Sequence, residues 1–269
     1  INWGGGIEAI KYDGTGKWVI TGDGGKINSY DGSHFVNLSV EAGFGTDNIY
    51  TVWHNGSYWM IGGAGGKLKR WNGASTWTDY SASLQNFSGD VRAIGYKDTP
   101  TTYWLVGGTS GSLNSFNGTA WTDLKSQLNF GTNDVLAVRW NGAYWLIAGK
   151  GGKIVKYDGA TTWSDYSSAL ATALGGTYDI NTLEWNGTTW LVGGGGKIAS
   201  STDGQSFTNK SASVTMSAVY KIKWNGSYWL IGGANGSATV LYTSADLNTF
   251  NLQANPSYFA SGPICAIES

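Results

Sequence analysis

Apolar positions along this chain come in short runs with no helical period. Residues 135–157 show the pattern: VLAVRW, YWLIAG and KIVKY are separated by Asn141-Gly142 and by a glycine-rich stretch, Gly149 to Gly152. Runs of this length, rich in β-branched and aromatic residues and bounded by Gly, Asn or Asp, predict strands. Asn-Gly suits the positive φ at the centre of a tight hairpin. Asp158-Gly159 makes a further turn into a short fourth strand around Trp163. The segment therefore predicts four antiparallel strands, here called a to d, joined by hairpins.

The same unit recurs. Strand a reappears as IEAI from Ile7, IYTV from Ile49, VRAI from Val91, VLAV from Val135, INTL from Ile180, VYKI from Val219 and ICAI from Ile264. A second anchor, the strand-b tryptophan, keeps step at Trp18, Trp59, Trp104, Trp145, Trp190 and Trp229. Four strands every 39 to 45 residues match a propeller blade. The pattern predicts an all-β, six-bladed β-propeller forming one domain over residues 1–269. Its units start near 7, 49, 91, 135, 180 and 219, with a surplus strand at 264–269 that lies outside the ring or shares the closing blade. A seven-bladed ring or a piece of a longer array are the alternatives. The aromatics ending strand a (Tyr12, Tyr96, Trp140, Trp185, Trp224, with His54 in the second unit) read as filler between stacked blades. The pairs Gly62-Gly63, Gly107-Gly108, Gly193-Gly194 and Gly232-Gly233 read as sites of close backbone approach.

Composition narrows the partners. The net charge of −1 leaves no basic excess for a phosphate backbone, so nucleic acid is not expected. One cysteine, Cys265, and two histidines, His34 and His54, make neither an intrachain disulfide nor a thiolate or imidazole metal site. No apolar run approaches the ~20 residues of a membrane-spanning helix, so no membrane insertion is expected. No signal peptide is recognised, and a start at Ile1 fits a processed or trimmed piece of something longer. The glycine runs feed strands, not helix N-termini, which argues against phosphate loops.

The segments SSTDGQSF (Ser200 to Phe207), YTSADLNTF (Tyr242 to Phe250) and KYDGATTW (Lys156 to Trp163) resemble degenerate Asp-box (BNR) turns between strands c and d. The whole unit is similar to the propellers of sialidases and of photosystem II stability/assembly factors. That resemblance implies a propeller in which Asp31, Asp158, Asp203 and Asp246 form turns away from the ligand face. The match is imperfect: the segment from Ser201 to Phe207 is one residue short, and Asn72 and Asn117 replace the aspartate. Sialidases of this type use three arginines, a Tyr–Glu pair and an Asp. Here the only arginines are Arg70, Arg92 and Arg139, with Arg70 expected on a strand c, and the only glutamates are Glu8, Glu41, Glu184 and Glu268. Neither histidine lies near a nucleophile elbow. The expectation is a non-enzyme. The alternative is a divergent glycoside hydrolase with two carboxyls ~5 to 9.5 Å apart.

A repeat protein carries specificity where its repeats differ. The d–a loops vary most, and four of them end in Asn48, Asp90, Asp134 and Asp179. With Asp47, these residues are expected at one mouth of the channel, as a ring for calcium or for sugar hydroxyls. Otherwise each accepts a local backbone N–H where strand a begins. The second position of strand a is also variable (Glu8, Tyr50, Arg92, Leu136, Asn181, Tyr220), which makes Tyr50, Arg92 and Tyr220 candidate ligand contacts. At the fifth position Trp53 is the odd aromatic, a stacking platform at the opposite mouth or extra inter-blade packing. Eight Asn-x-Ser/Thr triplets are mostly hairpin turns. No cofactor is required. The reading is a binding or display module with a carbohydrate or protein ligand at one channel mouth. It is expected to be monomeric, extracellular or at a cell surface, alone or within a longer chain. A purely structural scaffold is the remaining alternative.

Overall fold

The computed structural model describes residues 4–98, 103–253, 264 and 266–268. These form six sheets, each of four antiparallel strands hydrogen-bonded in chain order. The fold is a six-bladed β-propeller, as the repeat predicts. Strand a spans Ile7–Tyr12, Ile49–His54, Val91–Lys97, Val135–Trp140, Thr182–Trp185 and Ala218–Trp224 in blades 1 to 6. Three d–a loops contain short helices, Ser39–Ala42, Lys125–Leu128 and Ser167–Leu174, which the strand pattern does not reveal.

The chain divides into two compact units, Ile1–Val138 with Glu268, and Arg139–Ile267. Blades 1 to 3 belong to the first unit and blades 4 to 6 to the second, with the boundary inside strand a of blade 4. Within each unit the core lies between successive blades. Val19, Ile27, Ile49, Ile61 and Trp59 form one such layer between blades 1 and 2. Met60, Leu68, Val91, Trp104 and Val106 form the next, and in the second unit Leu191, Ile198, Val219, Ile231 and Trp229 form another.

Cross-strand pairing explains the recurrent aromatics. Tyr12, His54, Tyr96, Trp185 and Trp224 each stand directly opposite the strand-b tryptophan of their own blade. Their ring centroids lie 4.5 to 5.2 Å apart. Trp59, Trp104, Trp145, Trp190 and Trp229 are at most 1% exposed. Burying a ring of that size is worth about 5 kcal/mol.

The glycine pairs have two distinct jobs. The first glycine admits a valine from the start of the next strand a: a Cβ at Gly62 would meet Val91, and one at Gly193 would meet Val219. The second faces a carbonyl in the approach to strand a of its own blade: a Cβ at Gly108 would sit 2.0 Å from the Asp90 oxygen, and one at Gly194 1.9 Å from that of Asp179.

Near the C-terminus, Ile264 stands against Gly232 of blade 6 as Val219 stands against Gly193. Glu268 pairs with Lys11 of blade 1. No strand is assigned to the described residues of the expected surplus strand, and Cys265 and Ser269 of that stretch lie outside the described residues.

Candidate functional site

Every hairpin turn needs its backbone donors satisfied, and Asn and Asp do this locally. Asp31, Asp158, Asp203 and Asp246 each accept two or three backbone N–H groups within their own c–d turns. Asn55, Asn141, Asn186 and Asn225 do the same between strands a and b. In blades 5 and 6 a serine joins the turn: Gly204 N–H donates to Ser201 Oγ and Leu247 N–H to Ser244 Oγ, both at 2.9 Å. Burial works against ionisation of Asp203, but the N–H groups of Ser206 and Gln205 and the Ser201 hydroxyl outweigh it and hold the carboxyl at about 2.

The residues before strand a follow a different rule. Asn48 Oδ1 accepts from Gly24 N–H at 2.9 Å, Asp90 Oδ1 from Gly65 at 3.1 Å, and Asp134 Oδ1 from Ser110 at 3.0 Å. In the second unit Asp179 Oδ1 accepts from Gly151 at 2.8 Å. Each donor is the central, positive-φ residue of the b–c turn in the preceding blade. The four side chains thus tie consecutive blades together, across about two dozen residues, rather than capping their own strand. Asp47 pairs with Lys67 at 2.8 Å. Among the described residues no group of three or more His, Cys, Asp or Glu side chains is placed to hold a metal ion. Asp47, Asp90, Asp134 and Asp179, expected as a calcium ring, each meet a different partner within their own unit: Lys67, Gly65, Ser110 and Gly151.

The variable second position of strand a has a structural cause. The a–b register slips there in blades 1, 2, 3 and 6, leaving Glu8, Tyr50, Arg92 and Tyr220 as extra, bulged residues. A bulge re-aims its side chain and frees it from regular cross-strand packing. In blade 5, Asn181 instead donates from Nδ2 to the Val219 carbonyl at 2.8 Å.

In the first unit these bulges assemble a constellation. The Arg92 guanidinium carbon lies 3.8 Å from the centre of the Tyr50 ring. Arg92 Nη2 donates to Asp90 Oδ2 at 2.6 Å, while the other Asp90 oxygen holds the Gly65 turn. The Arg92 Nε–H is buried without a hydrogen-bond partner. Burial raises the Tyr50 pKa; Arg92 opposes the shift, and Asp90, Glu8 and Asp23 reinforce it. The phenol is a neutral donor at physiological pH, within electrostatic reach of three carboxylates and one guanidinium. Three residues singled out from sequence, Tyr50, Asp90 and Arg92, are thus brought together. Tyr220 is half-buried at its own bulge in the second unit.

The fifth position is occupied by the protein's own groups. Lys11 Nζ lies 4.8 Å from the Trp53 ring centre, and Trp53 packs against the core layer of blades 2 and 3. In the second unit buried Glu184 pairs with Arg139 and, at 3.7 Å, with Lys223. Arg70 lies on strand c as expected, its guanidinium 4.1 Å from the Tyr58 ring centre.

Sequence reasoning missed Asn114. This side chain is fully buried, accepts from Gln85 N–H at 2.6 Å and donates to the Gln85 carbonyl at 2.9 Å, clamping the d–a loop before blade 3. Blades 2, 4 and 5 carry Lys69, Val155 and Ala199 at this position, but blade 1 also has an asparagine, Asn28, so residue type alone did not single out Asn114.

No family model and no curated protein matches the sequence. Solved structures do match. The chain is similar to a chain in the crystal structure of the mitotic checkpoint complex, with a TM-score of 0.72 at 11% identity, covering 97% of this chain and 82% of that one. It is similar to the WD40 repeats of RRP9, with a TM-score of 0.68 at 12% identity, covering 97% and 83%. It is also similar to YCF48 bound to D1 peptide, with a TM-score of 0.64 at 15% identity, covering 90% and 79%. At such identities the likeness is one of fold, and fold alone does not fix function.

Proposed function

We propose that this propeller is a non-enzymatic protein-binding module, and that it holds a basic segment of a partner protein on the bulged strand-a residues of blades 1 to 3. The observation that carries the reading is the Tyr50–Arg92–Asp90 constellation: a phenol and a guanidinium held in place by an ion pair, at positions released from blade packing. Aromatic and arginine side chains are the commonest anchors of protein interfaces. Three carboxylates, Asp90, Glu8 and Asp23, act on Tyr50 against one guanidinium, which favours a lysine- or arginine-bearing partner. The fold is shared with YCF48, whose structure carries a bound peptide, and this adds support. The Ser201/Asp203 and Ser244/Asp246 turns support reading the blades as Asp-box-like, with those turns as scaffold.

The test is a displayed random-peptide selection on the intact chain, followed by affinity measurements at two salt concentrations. Enriched peptides should carry basic residues, bind more weakly at high salt, and lose about tenfold or more in affinity to Tyr50→Ala and Arg92→Ala. Peptides that bind both variants as well as the parent chain would place the interface elsewhere and sink the reading.

A further inference from the structure

Two of the variable d–a loops border an open surface cleft that the proposed protein site does not use. It measures about 450 Å³ and is lined by Asn86 from the loop before blade 3, by Asp123 at the end of strand d of blade 3, and by Lys125, Ser126, Asn129 and Gly131 from the loop before blade 4. All of these residues lie in the first unit. The volume falls within the ~300 to 1,000 Å³ typical of small-molecule sites.

Both walls are held in place from below. On one side, buried Asn114 clamps both backbone groups of Gln85, and Gln85 Nε2 donates to the Trp121 carbonyl at 2.9 Å. Thr109 Oγ1 donates to the Ser88 carbonyl at 2.8 Å and accepts from Asp90 N–H at 2.9 Å. On the other side, Leu128 and Phe130 are anchored at 1% exposure, and Asn133 Nδ2 donates to the Phe130 carbonyl at 3.1 Å. Asn86 and Asn129 both adopt positive φ, at 47° and 56°. Asn86 Nδ2 donates to Asp123 Oδ2 at 2.9 Å, and Asp123 Oδ1 accepts from Lys125 N–H at 2.9 Å. Side chains held this way need little ordering when a ligand arrives.

The lining chemistry selects the ligand class. One carboxylate and one ammonium nearly cancel, so a strongly charged ligand is not favoured. Two carboxamides and a hydroxyl each donate and accept, the carboxylate accepts and the ammonium donates. A ligand matching this set presents adjacent groups that both donate and accept: vicinal hydroxyls. We infer that this cleft is a sugar-hydroxyl site for a mono- or disaccharide unit, separate from the Tyr50–Arg92 constellation.

The experiment is saturation-transfer NMR of the intact chain against methyl glycosides of glucose, galactose, mannose and N-acetylglucosamine, with a glycan array in parallel. Asn86→Gly removes the amide yet accepts a φ of 47° without strain, so its denaturation midpoint should stay close to the parent's. Lys125→Ala is the second variant, and Arg92→Ala is the control for the protein site. The expected result is saturable binding to one sugar class, weakened about tenfold in Asn86→Gly and Lys125→Ala and unchanged in Arg92→Ala. No saturable binding in either format, or binding indifferent to both cleft variants, would overturn the inference. Binding lost only in Arg92→Ala would also overturn it, by moving the sugar to the protein site.

Discussion

The guanidinium of Arg92 sits over the ring of Tyr50, its carbon 3.8 Å from the ring centre, although the two residues belong to different blades. Both are bulged residues of their strands, and Asp90 fixes the arginine from the side. The pair is partly exposed, so it contributes little to folding. Arg92→Ala should lower unfolding stability by no more than about 1 kcal/mol while removing partner binding. Urea denaturation beside peptide affinity separates the two effects.

The second glycine of each pair makes a sharper demand. Any side chain at Gly194 collides with the Asp179 carbonyl. Gly194→Ala should cost about 3 kcal/mol through forced backbone displacement. Gly24, with positive φ but open space around it, should lose only about 1 kcal/mol as alanine. Denaturation midpoints of the two variants test the difference.

Successive blades are also joined by tyrosine hydroxyls. Trp104 Nε1 donates to Tyr58 Oη at 2.9 Å, and in the second unit Trp190 Nε1 donates to Tyr144 Oη at 2.8 Å. Tyr58→Phe and Tyr144→Phe each leave a buried indole donor unpaired and should destabilise by about 1 to 3 kcal/mol. Equal stability of the phenylalanine variants in thermal unfolding would rule this bracing out.

Acid stability should follow the turn aspartates. Asp203 is held at about 2, below its ordinary 3.8, and Asp79 is held equally low: burial opposes the shift, but Lys69 and Ser81 outweigh it. A carboxyl with a lowered folded pKa stabilises fully above its unfolded value and loses that contribution as pH falls through the folded one. Stability should therefore decline between about pH 4 and pH 2. Asp203→Asn, whose side-chain oxygen still accepts the turn N–H groups, should show a shallower decline in acid titrations followed by tryptophan fluorescence.

Asn114 predicts a local effect. Asn114→Ala should release the Gln85 amide and raise its hydrogen-exchange rate well above that of neighbouring strand amides, because the clamp is a single buried side chain. Unchanged exchange at Gln85 would show that the loop is held by other contacts.

The sequence by itself determined the blade. Alternating short apolar runs, Asn-Gly and Asp-Gly turns, and a tryptophan recurring in step allow only four-stranded units, because each local preference agrees with its neighbours and repeats. It also marked Tyr50 and Arg92 as positions not held by blade packing, and Asp90 as the end of a variable d–a loop. What it left open depends on groups far apart in the chain. Asp90 read first as a local cap, with a metal ligand or a sugar contact as the alternatives. Tertiary structure assigned it to Gly65 and Arg92, because the b–c turn of one blade lies beside the start of the next strand a. The bulges were likewise invisible, since a register slip is a property of two strands and not of one. The cleft at Asn86 arises only when Asn86 and Asp123, 37 residues apart, come within 2.9 Å. Local patterning encodes the repeat; the distances between repeats, which decide what each polar side chain meets, exist only in the folded chain.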